Sequence, residues 1–165
     1  RGLVLNQSFE PIRVSASMFL DWDQLRGLHA ETAAAVVHAS LTDPTTVVET
    51  QGDGSMLAFS SARQGVACAI AIHREMEHAF DDRSPPIRVR IGVHTGDALQ
   101  EADHFYGTTV HYAARVASHA VGGEVLVSST VHDLVNGAGN GFAFLDGRDV
   151  ELKGIAGRHR LWAIR

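Results

Sequence analysis

The sequence predicts an α+β fold: a β-α-β-β-α-β core followed by further helices and C-terminal strands. Three observations predict it. Ile87-Arg88-Val89-Arg90-Ile91-Gly92-Val93-His94 alternates apolar and polar residues over one strand length. Two strand-like runs, Thr45-Thr46-Val47-Val48-Glu49-Thr50 and Ser55-Met56-Leu57-Ala58-Phe59, flank Gln51-Gly52-Asp53-Gly54, and an Asp-Gly pair between such runs is a hairpin signal. Helix-like stretches at residues 22–41 and 60–79 stand before and after that hairpin.

Taken in order, Gly2-Leu3-Val4-Leu5 is a short apolar run and reads as the first strand. Residues 22–41 place Trp22, Leu25, Leu28, Ala33 and Val36 near one helical stripe, and Thr42-Asp43-Pro44 ends it. The hairpin follows. The second helix is capped near Ser60 or Ser61 and packs Val66, Ile70 and Ile72 or Met76. After the alternating strand comes a helix at 107–120, a strand at 124–127, and a short helix capped by Ser128-Ser129-Thr130. The tail reads as strands at 142–144, 150–152 and 161–164. The first six elements match a ferredoxin-like split βαβ unit, whose sheet has a second face that must find cover, such as a partner. There are no internal repeats or linkers, so residues 1–165 are expected to form a single domain.

Composition narrows the function. Hydrophobic residues make up 45% of the chain and charged residues 20%, the balance of a globular domain rather than a disordered one. The net charge is −5 with no basic tract, so nucleic acid and anionic membranes are not expected partners. A single cysteine, Cys68, excludes a disulfide framework and fits a reducing, cytoplasmic setting. No apolar run reaches the roughly 18 residues of a membrane span. The chain begins with Arg1 rather than Met, as a fragment of a longer protein would.

Gly52-Asp53-Gly54 alone reads as a tight turn, or as a carboxylate held for a cation with glycines that let phosphates approach. Its company is more specific. Val47-Val48-Glu49-Thr50-Gln51-Gly52-Asp53-Gly54 resembles the metal hairpin of class III nucleotidyl cyclases, the adenylate/guanylate cyclase type. Arg90-Ile91-Gly92-Val93-His94-Thr95-Gly96 resembles their R-x-G-x-H-x-G strand. Phe105 to Arg115 resembles their F-G-x-x-V-N-x-A-A-R helix, and Gly122 to Ser128 and Leu152-Lys153-Gly154 match further blocks. The blocks follow the family's order from about residue 20 to the end.

The resemblance implies a nucleotidyl cyclase fold and attack of a ribose 3′-hydroxyl on its own α-phosphate, expelling pyrophosphate. It implies Mg2+ or Mn2+ held by two aspartates, a nucleoside triphosphate as substrate, and a homodimer with shared active sites. By the same resemblance Asp53 is a metal ligand, Arg115 the transition-state arginine and Lys153 the phosphate lysine. His111 stands where most members carry a ribose-orienting Asn, and on a helix it shares a face with Arg115. Glu49 and His104 fall at the purine-selecting positions; Glu49 suits guanine, whereas His104 fits neither the adenylate nor the guanylate pattern. The family's first strand, F-T-D-[IV]-x-G-S-T, is not found as such. Taking Trp22 and His29 as the family's W-x-x-L-L-x-x-H helix and counting back places Asn6 at the first metal position, where an amide offers only a neutral oxygen. Residues 3–14 also resemble the opening of some HNH endonucleases, but no paired cysteines or H-N-H core accompany them. His94, His104 and His111 have no zinc spacing and read as separate polar histidines. The expected function is therefore a nucleotidyl cyclase of intracellular signalling; the alternative is a cyclase-derived module that dimerises and binds nucleotide with little turnover.

Overall fold

The computed structural model describes residues 16–22, 41, 47–51, 54–80, 82, 88–97, 99–101, 104–137, 139 and 141–165, with 16–22, 47–51, 99–101 and 104–106 described by their backbone. Among the described residues seven strands form one sheet: β1 (Ala16–Trp22), β2 (Val47–Gln51), β3 (Gly54–Phe59), β4 (Val89–His94), β7 (Glu124–Ser128), β8 (Arg148–Glu151) and β9 (Arg158–Ile164). Their order is β2-β3-β1-β4-β7-β9-β8. A small separate ladder pairs β5 (Leu99–Glu101) with β6 (His104–Tyr106). Three described helices are α1 (Ala62–Phe80), α2 (Thr108–Ser118) and α3 (Ser129–Val135).

β1 is antiparallel to both β3 and β4, so those two neighbours are parallel to each other and need a crossover, which α1 supplies. This is the split βαβ arrangement expected from sequence. The β4–α2–β7 unit extends it, with β7 parallel to β4, and the antiparallel β9 and β8 complete the sheet.

The strand between β3 and β4 corrects one expectation. It is Ala16–Trp22, not the run at residues 2–5, and Trp22 ends a strand rather than opening a helix. Ala-Ser-Met-Phe-Leu-Asp-Trp is a short apolar run without strict alternation, as suits a central strand covered on both faces. Assigning Trp22 to the following helix hid that run. Asn6 and the predicted strand at 2–5 lie outside the described residues, as does most of the helix expected at 22–41.

α1 starts at the serine pair expected to cap it. Ser61 Oγ accepts from the backbone N–H of Gln64 at 3.1 Å, and the Gln64 side-chain oxygen accepts from Ser60 and Ser61. Its buried face, Val66, Ala69, Ile72, Met76 and Phe80, packs with Leu57 and Phe59 of β3, Val89, Ile91 and Val93 of β4, and Val125 and Val127 of β7. Each such large side chain removed from water contributes roughly 1.5–3 kcal/mol, and this cluster is the main core. A second cluster gathers Val116 of α2 with Leu126, Leu152, Leu161 and Ala163. The alternation of β4 feeds both: its valines and isoleucine enter the α1 core, while Gly92 lies under α2.

The tail departs from expectation in detail. Of the strand expected at 142–144 only a bridge from Phe144 to Ile164 forms. β8 begins earlier than expected, and Leu152 leaves the ladder to be buried in the second cluster.

Candidate active site

The β2–β3 hairpin is framed by backbone register. Gln51 pairs with Gly54, so only Gly52 and Asp53 separate β2 from β3. On the neighbouring strand the β1–β3 ladder ends at Leu20↔Ser55, and the next residue, Asp21, falls beside Gly54 and opposite Arg90 of β4. A carboxylate residue therefore stands at the end of β1 next to the hairpin turn. Sequence reasoning missed Asp21, although the signal was present: Phe19-Leu20-Asp21-Trp22 carries the F-x-D part of the first-strand motif. Asp53 itself lies outside the described residues. Glu49 lies on β2 opposite Met56, and His104 on β6 opposite Glu101.

α2 carries His111 and Arg115, four residues apart and both exposed. The helix is fixed at its start by Thr109, whose hydroxyl donates to the carbonyl of Asp97 at 2.7 Å. It lies directly on β4, because Gly92 has no side chain to hold it away. These contacts set which side of the helix faces solvent.

Beneath α2 is a cluster that the sequence did not reveal. The His94 ring stacks on Tyr112 with centroids 3.9 Å apart and planes inclined by 20°. His94 Nδ1 is 2.8 Å from Ser128 Oγ, which also caps α3 by accepting from Val131 N–H. Burial, helped by repulsion from His159, pushes the His94 pKa down to about 4, so this imidazole is neutral at pH 7. The Tyr112 hydroxyl lies 2.8 Å from His159 Nδ1, and burial raises the Tyr112 pKa. His94 is thus engaged in packing. Among the described residues no three His, Cys, Asp or Glu side chains converge as a metal site.

Lys153 is exposed in the β8–β9 connection. It lines a groove of about 560 Å³ with Glu151, Leu152, Gly154, Ile155, Gly157 and Arg158. Gly154 and Gly157 adopt φ of 81° and 87°, a left-handed backbone that side chains other than glycine rarely take. The structure thus groups Asp21 with the β2–β3 hairpin and His111 with Arg115, and puts Lys153 on a separate loop.

The arrangement matches known proteins. The family described as adenylate and guanylate cyclase catalytic domain matches residues 25–165. A Rhizobium meliloti protein named as a candidate adenylate cyclase is 33% identical over 118 residues, covering 70% of this chain and 20% of that protein. A pH-sensitive adenylate cyclase of Mycobacterium tuberculosis is 30% identical over 124 residues, covering 74% of this chain and 30% of that protein. The chain therefore spans well under half the length of these relatives. Among solved structures, an adenylate/guanylate cyclase/hydrolase from Silicibacter pomeroyi superposes with a TM-score of 0.76 at 24% identity, covering 94% of this chain and 97% of that one. No helix among the described residues is long and apolar enough to cross a membrane.

Proposed function

Because the chain belongs to the family of adenylate and guanylate cyclase catalytic domains, we propose that it converts ATP or GTP to a cyclic monophosphate and pyrophosphate. The observation that carries this reading is the place of Asp21, at the end of β1 beside the turn that holds Asp53. A carboxylate near the end of β1 and another in the two-residue link from β2 to β3 would suit Mg2+ or Mn2+, which bind through one or two carboxylates and complete their shells with water and substrate phosphates. Asp21 thereby takes the role that the sequence assigned to Asn6. When bound, such ions would activate the 3′-hydroxyl and neutralise phosphate charge.

The chain's own residues do the rest. A bond forms between O3′ and the α-phosphorus, the bond to pyrophosphate breaks, and the hydroxyl proton leaves to solvent. Arg115 donates to the α-phosphate oxygens as charge builds on the pentavalent state. Lys153 holds the terminal phosphates, His111 orients the ribose, and Glu49 and His104 stand at the purine-selecting positions. With the aspartates of one protomer serving the arginine helix of another, a homodimer would hold two equivalent sites. The histidines at 104 and 111 are what favour the second reading, a nucleotide-binding module with little turnover.

A direct assay separates the two. The purified chain is incubated with ATP or GTP, each with Mn2+ and with Mg2+, and cyclic nucleotide and pyrophosphate are measured. The cyclase reading expects equimolar products that Arg115→Ala removes. Nucleotide binding with no product under any of the four conditions would establish the module instead.

A further inference from the structure

Two cations assigned to the nucleotide site stand on different elements, Arg115 on α2 and Lys153 on the β8–β9 loop. Tyr112 lies one turn before Arg115, and its side chain joins those elements. Its ring rests on His94 and packs against the second core cluster, which includes Leu152 and on which Ile155 also packs; Leu152 and Ile155 bracket Lys153-Gly154. Ile155 N–H donates to the Leu152 carbonyl at 2.9 Å, closing the loop's base. The Tyr112 hydroxyl reaches His159 Nδ1 at 2.8 Å, and His159 Nε2 reaches the Ala156 carbonyl at 2.9 Å. A carbonyl only accepts, so Nε2 carries the hydrogen. The chain Tyr112–His159–Ala156 therefore links helix to loop. At the other end of α2, His119 Nε2 lies 3.1 Å from the Glu151 carbonyl, so Arg115 sits between two ties to the same hairpin.

We infer that Tyr112 and His159 are positioning residues of the nucleotide site, holding the loop of Lys153 at a fixed separation from the helix of Arg115. This rests on the cyclase reading above. One triphosphate must meet both cations, so the loop has to be docked before substrate arrives; a loop that first has to be ordered weakens binding. Neither residue need touch substrate.

Tyr112→Phe keeps the ring on His94 and removes only the hydroxyl. It is measured alone, with Lys153→Ala, and as the double variant, by kcat/KM with Mn2+ and by Kd for 3′-deoxy-ATP and 3′-deoxy-GTP, which bind without cyclising. The expected result is about a five- to tenfold loss of kcat/KM for Tyr112→Phe, mostly in KM, the size of one hydrogen bond. With Lys153 already removed, the same change should cost almost nothing further, because a positioning residue acts through the group it positions. A merely structural role would lower Tm and leave the two losses multiplying. Multiplying losses, or no loss from Tyr112→Phe, in a chain that binds or cyclises triphosphate would overturn this inference alone. A wild-type chain that neither cyclises nor binds triphosphate would overturn the cyclase reading and this inference together.

Discussion

A methyl group on Gly92 would lie 2.2 Å from the backbone nitrogen of Ala117 and 2.6 Å from the carbonyl oxygen of Ala113. Strand β4 and helix α2 are thus in backbone contact, and the height of α2 above the sheet is set by the absence of one carbon atom. Backbone cannot give way as a side-chain end can, so overpacking here falls at or above the upper part of its usual range of about 1–3 kcal/mol. Gly92→Ala should cost about 3 kcal/mol in denaturant unfolding. It should also lower cyclase activity more than stability alone accounts for, because lifting α2 moves Arg115. A folded Gly92→Ala chain with wild-type kcat would show that the height of α2 does not matter to the site.

The half-buried imidazole of His94 makes stability depend on pH. Its folded pKa of about 4 lies below the ordinary value of 6.5, so the unfolded chain binds this proton more readily than the folded one. The contribution is fully present above pH 6.5 and is lost as pH falls from there towards 4. Its full size is on the order of 2 kcal/mol after allowance for the part of the ring that meets solvent. His94→Asn cannot titrate in this window. Urea unfolding at pH 7.5, 5.5 and 4.5 should therefore show a shallower fall for the variant than for the wild type. Parallel curves would mean that His94 is not held neutral by its burial.

Asp21 and Asn6 make opposite claims on the first metal position, and activity separates them. If Asp21 holds a divalent ion, Asp21→Asn should lower turnover on the order of a thousandfold, since such an ion stabilises several kcal/mol of developing charge. Excess Mn2+ should restore part of it. Asn6→Ala should leave kcat within about twofold. The reverse pattern, an inert Asp21→Asn change and a damaging Asn6→Ala, would return the metal position to Asn6.

These residues also show what the sequence exposed and what it concealed. The hairpin, α1 with its Ser61 cap, β4 and the α2 block were legible because each has local grammar: Asp-Gly between β-branched runs, a serine pair ahead of an apolar stripe, strict alternation, an ordered motif. β1 was not, because a strand covered on both faces has no alternation to betray it, and Trp22 fitted equally well as the start of a helical stripe. That one residue displaced the register of the first strand, which is how counting back from it reached Asn6 instead of a residue of β1. The Tyr112–His159 contact was out of reach for another reason: it joins residues 47 apart in the chain, and no periodicity announces it.

The shared site makes the last prediction. If the aspartates of one protomer serve Arg115 of its partner, Asp21→Ala and Arg115→Ala chains should each be inactive alone and regain activity when mixed. In a mixed dimer one site combines the intact aspartates of the Arg115→Ala chain with the intact arginine of the Asp21→Ala chain, while the other site collects both defects. With equal amounts and random exchange, half of the dimers are mixed and each carries one good site of two. Recovery should therefore approach roughly a quarter of wild-type activity, as symmetry requires of an isologous pair. The mixture is assayed after exchange has been verified with differently tagged chains. A site built within one protomer would give no recovery at any mixing ratio. Recovery well above a quarter would mean that mixed dimers form preferentially, which the tagged chains would reveal independently.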